Sequence, residues 1–337
     1  MASGQVLASV QARSELRDIL RLVERDLARL ETILDDRCHS EVPLLGEMAR
    51  YVKDGGGKRI RPALLLLAGG LCGSVTERTL EFAAVVEFIH TATLLHDDII
   101  DEAALRRGRR TANSRWGNSM TVLLGDFLYA QSTGMALRAE NLRVLKLLSD
   151  VTVQMIEGEV QEIERCGSSE VGEDDHLDLI KRKTAHLFSA CARIGGMVAG
   201  AEPEHERALA AYGLNLGICF QMVDDLLDFT GSEAILGKPV ANDLREGKVT
   251  LPAIFLLRRA TRAVAERVRA VLADRGFTRV TRDEIVRLAA DAGALDEARR
   301  LAERYAEAAK ADLAPFAPSA HKDALLSIPD FILERQY

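Results

Sequence analysis

Proline is scarce in this chain, 8 in 337 residues, with none between Pro62 and Pro203. Proline interrupts helices by removing an N–H and clashing with the preceding turn, so its absence leaves room for a long series of uninterrupted helices. Aromatic residues make up only 5%, with a single Trp, and no stretch alternates with a period of two between turn residues. An all-β architecture is therefore excluded. Cysteine is limited to Cys38, Cys72, Cys166, Cys191 and Cys219. The odd number and the lack of any C-x-x-C pair exclude a disulfide framework and a thiolate zinc site. Free thiols in a reducing cytoplasm are the plain reading. The longest apolar runs, 60–73 (broken by Arg61) and 194–201, are too short to span a bilayer. Residues 1–21 show no apolar stretch of the secretory type. A net charge of −7 with 28% charged residues gives no reason to expect a nucleic-acid partner.

What remains is apolar and helix-forming: 47% hydrophobic residues, rich in Ala and Leu, with spacings of three and four. The pattern predicts an all-α chain with helices over 8–37, 42–52, 63–71, 76–100, 116–137, 142–166, 177–200, 204–230 and 250–273. Three further amphipathic pieces follow to the end. No linker, repeat or low-complexity tract divides the sequence, so one domain over 1–337 is expected.

Two stretches stand out. Leu94-Leu95-His96-Asp97-Asp98-Ile99-Ile100-Asp101 sets three carboxylates in an apolar helix. Asp97 and Asp101 lie one turn apart on one face, where they repel each other unless a cation sits before them. The pattern returns in Gln221-Met222-Val223-Asp224-Asp225-Leu226-Leu227-Asp228-Phe229. Two such walls suggest a pocket for hard cations, and carboxylate ligands without nearby thiolates favour Mg²⁺. Around them lie Gly55-Gly56-Gly57-Lys58-Arg59-Ile60-Arg61, Arg106-Arg107-Gly108-Arg109-Arg110, Lys183, Lys238 and Lys248. Taken singly, the glycine run reads as a helix–helix turn or an anion cradle, and the arginine run as a solvated loop or a phosphate grip. His90, two turns before Asp97, is either a core residue or a ligand. Together these cations imply a diphosphate, and the apolar helix below Asp97 implies that its other end is hydrocarbon. A metal-bound diphosphate on an allylic carbon leaves readily, which predicts ionisation followed by electrophilic alkylation.

The sequence resembles the trans-isoprenyl diphosphate synthases, or polyprenyl synthetases, over nearly its full length. The matching stretches are Gly56–Pro62, Leu94–Gly108, Lys183-Thr184, Gln221–Phe229 and Gly237–Pro252. The resemblance implies the large helical bundle of the isoprenoid synthases, usually a homodimer. Asp97 and Asp101 would hold two Mg²⁺ ions and Asp224 would help hold a third, with Asp98, Asp225 and Asp228 supporting. Lys58, Arg61, His90 and Arg107 would bind isopentenyl diphosphate. Arg106, Lys183, Thr184, Gln221, Lys238 and Lys248 would hold an allylic diphosphate such as farnesyl diphosphate, with Lys183 and Lys238 also serving catalysis. The released diphosphate would act as the base.

A terpene cyclase would need no Lys58/Arg61 site, and its second motif normally mixes Asn, Ser and Glu. A di-iron bundle would need two E-x-x-H helices. Only Glu87–His90 qualifies, since Glu173–His176 and Glu202–His205 are expected at a loop and at a proline. A non-catalytic regulatory subunit of a heteromeric synthase would generally have lost one aspartate motif, and both are whole. Product length follows from the residues before the first motif: Ala92 and Thr93 are small where short-chain members carry aromatic rings. With Ile89 one turn further down, they predict an open pocket and a long-chain, octaprenyl-type product for quinones such as ubiquinone, handed on to a membrane. Geranylgeranyl diphosphate synthase is the alternative.

Overall fold

The structure is a computed structural model that describes residues 17–231 and 241–335. The described chain is helical apart from one small hairpin. In order come α1 (Glu24–Arg37), α2 (Pro43–Lys53), α3 (Ile60–Cys72) and α4 (Glu77–Ile100). The hairpin β1 (Leu105–Arg106) and β2 (Arg109–Arg110) is followed by α5 (Ala112–Trp116), α6 (Asn118–Arg138), α7 (Leu142–Arg165) and α8 (Glu173–Ile180). A π-helical turn, Lys181–Ala185, leads into α9 (His186–Val198) and then α10 (Pro203–Thr230). The remainder is α11 (Asn242–Arg245), α12 (Leu251–Arg259), α13 (Arg262–Asp274), α14 (Arg282–Asp291), α15 (Ala294–Asp312) and α16 (Ala320–Leu333).

The two helices that carry the aspartate motifs are the central ones. α4 opens on a capping box: Thr76 accepts from the Thr79 amide while the Thr79 hydroxyl accepts from the Thr76 amide. A cap of this kind contributes about 1 kcal/mol. Leu80, Phe82, Ala83, Val85 and Val86 are then all buried, so the helix is enclosed on nearly every side. α10 starts at Pro203, in the first helical position where its missing N–H costs nothing. Both helices pack against α9, whose small residues bring the backbones close. A Cβ on Gly195 would lie 2.3 Å from the Leu65 carbonyl oxygen of α3, and one on Gly217 of α10 would lie 2.6 Å from the Ala185 Cα of the π turn.

The structure departs from the expected elements in several places, among them a 3-10 turn at Arg21–Val23 within the helix expected over 8–37. The region expected as one helix over 177–200 begins at Glu173, so that Glu173–His176 is helical and not the loop expected, and it is interrupted by the π turn. The helix expected over 250–273 breaks at Ala260, and Thr261 caps a new one by accepting from the Val264 amide. The basic loop after the first motif is a β-hairpin: Arg107 and Gly108 both have positive φ, 53° and 74°, as a type I′ turn demands. Only residues from 17 onward of the helix expected over 8–37 lie among those described. No described helix is long and apolar enough to cross a membrane.

Candidate active site

Each aspartate motif divides its carboxylates between two tasks. In the first, Asp98 is buried; it receives Arg106 Nε at 2.9 Å and Nη2 at 2.8 Å on one oxygen. Asp97 is only partly covered and Asp101 caps the end of α4. In the second, Asp225 and Asp228 are 3% and 1% exposed, whereas the Asp224 side chain is 35% exposed. Asp228 ties the following segment to α10: its carboxylate accepts from the Asp243 amide at 3.1 Å and its carbonyl from the Ala241 amide at 2.6 Å. Asp97, Asp101 and Asp224 therefore face outward, and Asp98, Asp225 and Asp228 hold the walls in shape.

Cations already stand before the outward carboxylates. Lys248 Nζ lies 2.9 Å from Asp101 and 3.6 Å from Glu162. Lys183 Nζ lies 2.7 Å from Glu159 and 2.5 Å from Glu162, close enough to Asp97 to draw its pKa down. Arg335 reaches Asp224 at 2.9 Å and lies over the Phe220 ring. Burial nonetheless dominates at Asp97, and with Glu159 and Asp101 nearby its carboxyl is pushed up to about 7. Burial disfavours the ammonium of Lys183, but the carboxylates of Glu162, Glu159 and Asp97 outweigh this and hold its pKa above the ordinary lysine value. Lys248 is held up in the same way by Glu162, Asp101 and Glu246.

Among the described residues no three His, Cys, Asp or Glu side chains converge closely enough to hold a metal ion unaided. The donor set still fits a hard divalent ion. The outward ligands are carboxylate oxygens, cationic side chains occupy the places where positive charge is needed, and such an ion completes its shell with water and phosphate oxygens.

The basic residues differ in how deeply they are set. Arg59, in the left-handed region with φ 48°, turns inward to Glu87 and to Glu31 at 2.7 Å. Lys58 is exposed at the glycine turn. Arg61 is partly buried, with Nη1 2.9 Å from His90 Nε2 and its guanidinium 4.7 Å above the Phe188 ring. Its Nε has no partner among the described residues. Burial and the arginines Arg61, Arg106, Arg107 and Arg59 push the His90 pKa well below its ordinary value, so the neutral ring accepts from Arg61. Arg107 comes round the hairpin to the glycine turn: a Cβ on Gly57 would lie 3.1 Å from its Nη1. A cavity lined by Glu87, His90, Thr91, Asp98, Arg106 and Arg107 opens beside this group.

On the other side, the Thr184 hydroxyl donates to Gln221 Oε1 at 2.8 Å. Ala92 and Ile89 are buried at 2% and 3%; Thr93 is partly covered and donates to the His90 carbonyl. Lys238 lies outside the described residues. Sequence reasoning missed Glu159 and Glu162, which hold Lys183 and Lys248, and Arg335. A signal for the first pair was Gly158 in the middle of α7: a Cβ there would lie 3.0 Å from the Lys183 amide nitrogen, so the glycine lets α7 approach the π turn. Nothing in the local sequence marks Arg335.

Comparison with known proteins identifies the family. The family model described as polyprenyl synthetase matches residues 42–288. An octaprenyl diphosphate synthase from Haemophilus influenzae is 37% identical, over 95% of this chain and 97% of its own length. An all-trans-nonaprenyl-diphosphate synthase (geranyl-diphosphate specific) from Rhodobacter capsulatus is 34% identical, over 95% and 98%. A crystal structure of a polyprenyl synthase from Caulobacter crescentus, complexed with calcium and isoprenyl diphosphate, superposes with a TM-score of 0.91. It is 37% identical, and the match covers 96% of this chain and 98% of that one.

Proposed function

The chain belongs to the polyprenyl synthetase family, and from that premise we propose that it condenses isopentenyl diphosphate head-to-tail with an allylic diphosphate to build a long all-trans polyprenyl diphosphate. The observation that carries this reading is the ring of cations around the outward carboxylates: Lys248 on Asp101, Lys183 beside Asp97, and Arg335 on Asp224.

Mg²⁺, three ions held by Asp97, Asp101 and Asp224 together with substrate, would neutralise the allylic diphosphate and make it a leaving group. Lys183, Lys248, Arg106, Thr184, Gln221 and Lys238 bind and orient that diphosphate. Lys58, Arg61, His90 and Arg107 hold isopentenyl diphosphate; neutral His90 fixes the Arg61 guanidinium and leaves its remaining N–H groups for phosphate oxygens. The allylic C–O bond breaks, the isopentenyl double bond attacks C1, and the released diphosphate removes a proton to restore the alkene.

Small Ala92 and Thr93 below Asp97 support a product near octaprenyl length, of the kind quinones such as ubiquinone carry. We assign the enzyme to the cytoplasm, as one domain working as a homodimer. Support for the dimer comes from α7, where Val153, Ile156, Val160 and Ile163 form an exposed apolar stripe at spacings of three and four, each about half exposed or more. The test is to incubate the protein with farnesyl diphosphate, labelled isopentenyl diphosphate and Mg²⁺ and size the products. Products of about eight isoprene units are expected; a single addition giving only geranylgeranyl diphosphate would overturn the long-chain assignment.

A further inference from the structure

His176 opens no cleft and touches none of the outward carboxylates, yet it is the first member of a buried relay that ends at the allylic side of the site. It lies on α8, 3% exposed, and donates through Nε2 to Asp225 Oδ2 at 2.7 Å. The other oxygen of Asp225 accepts from Gln221 Nε2 at 3.0 Å. Gln221 in turn receives the Thr184 hydroxyl on its Oε1 at 2.8 Å. Three separate elements, α8, α10 and the π turn, are joined through these four side chains.

The chemistry of a primary amide makes the direction of this relay matter. An amide rotated by half a turn would set its oxygen against the Asp225 carboxylate, so the carboxylate dictates which end of Gln221 faces it. With the nitrogen so fixed, one amide hydrogen is spent on Asp225 and the second remains for an oxyanion. Asp225 can dictate this only while its own plane is fixed, and it is fixed by having each oxygen bound to a different partner. His176 holds the oxygen that Gln221 does not.

We propose that His176 is a positioning residue for the allylic diphosphate: it orients Asp225, which turns the second N–H of the Gln221 amide toward that substrate while the Thr184 hydroxyl holds the amide oxygen. The inference rests on the assignment of Gln221 and Thr184 to the allylic diphosphate made above. It predicts an asymmetric defect, because Arg61, His90 and Arg107 have no bond to this relay among those described.

His176→Phe keeps an aromatic ring and removes the donor, and His176→Gln restores an amide nitrogen near the position of Nε2. For His176→Phe the KM for the allylic substrate should rise at least tenfold, while the KM for isopentenyl diphosphate stays within about twofold. His176→Gln should recover most of the loss. Calorimetric binding of a non-ionising allylic thiolodiphosphate should weaken in parallel. Should the phenylalanine variant not fold, the His176→Phe, Asp225→Asn pair removes the buried unpaired carboxylate and should show the same asymmetry. Equal rises in both KM values, an unchanged allylic KM, or a glutamine variant as impaired as phenylalanine would each overturn the positioning role. A wild-type chain that condenses nothing would instead overturn the prenyltransferase reading, and the proposal with it.

Discussion

Asp97 is required to be charged when it meets a cation, and the protein around it makes that charge unfavourable. Its carboxyl is pushed up to about 7 from the ordinary aspartate value by burial, helped by Glu159 and Asp101. Between the unfolded value and about 7 the native state therefore holds a proton that the unfolded chain has lost. Stability falls as pH rises through that window, and the full cost, on the order of a few kcal/mol at most, is present above it. Mg²⁺ should relieve this cost. The melting temperature should respond more strongly to Mg²⁺ at pH 8 than at pH 5.5, and Asp97→Asn should remove most of the difference. In the proposed reaction the same position also holds metal: Asp97→Ala and Asp224→Ala should each lower kcat on the order of a thousandfold, about 4 kcal/mol, with helicity by circular dichroism unchanged. Near wild-type rates in either would refute the two-walled site. The aspartates and Lys183 were legible in the sequence because like charges in an apolar helix call for an explanation. The division between outward and buried carboxylates followed only from the family resemblance and not from the residues themselves, since Asp224 and Asp225 look alike until one is seen to face His176.

The proposed determinants of product length lie on a single element, and another shapes the rim of the site. Side chains four apart stack on one face of a helix, so Thr93, Ile89 and Val85 continue the line of Asp97 down α4, each turn about 5.4 Å or roughly one isoprene unit. Ala92 flanks that line. A phenyl ring placed there by Ala92→Phe should cut the longest product to farnesyl or geranylgeranyl length while the shorter allylic substrates are still consumed. An unchanged product ladder from a folded, active variant would show that this face does not set length. Helices were readable from proline scarcity and spacing, but the rim was not. Arg106–Arg110 reads as a charge run because no Asn-Gly or Asp-Gly advertises the turn, and its two-residue loop forces Arg107 into the left-handed region. The π turn escaped for a related reason: one extra residue in a helix leaves the apolar spacing almost intact, while shifting Lys183 and Thr184 onto the face that meets Glu162 and Gln221.

At the scale of the whole molecule, one hydrophobic cluster runs from Val23 to Ile332 and binds the early helices to the last one. Tyr212 of α10 donates to the Leu325 carbonyl of α16 at 2.7 Å, which anchors the helix that ends beside Arg335. The apolar stripe on α7 lies outside this cluster. On the proposed homodimer, replacing Ile156 and Val160 together by Glu should halve the mass measured by light scattering and leave the monomer helical; an unchanged mass would overturn the assignment of the interface to this stripe. The proposed dimer face was not visible in a linear pattern, because an exposed and a buried apolar stripe are written with the same residues. The glycine seams have a consequence for inheritance as well as for packing. Every missense change reachable from a glycine codon adds a side chain, and at Gly195 and Gly217 even the smallest would collide with backbone atoms. In a library of random variants these two positions should be as intolerant as Asp97. A screen that scores colonies alone would map them as part of the catalytic apparatus, and only a parallel count of folded protein per cell would separate a broken seam from a broken site.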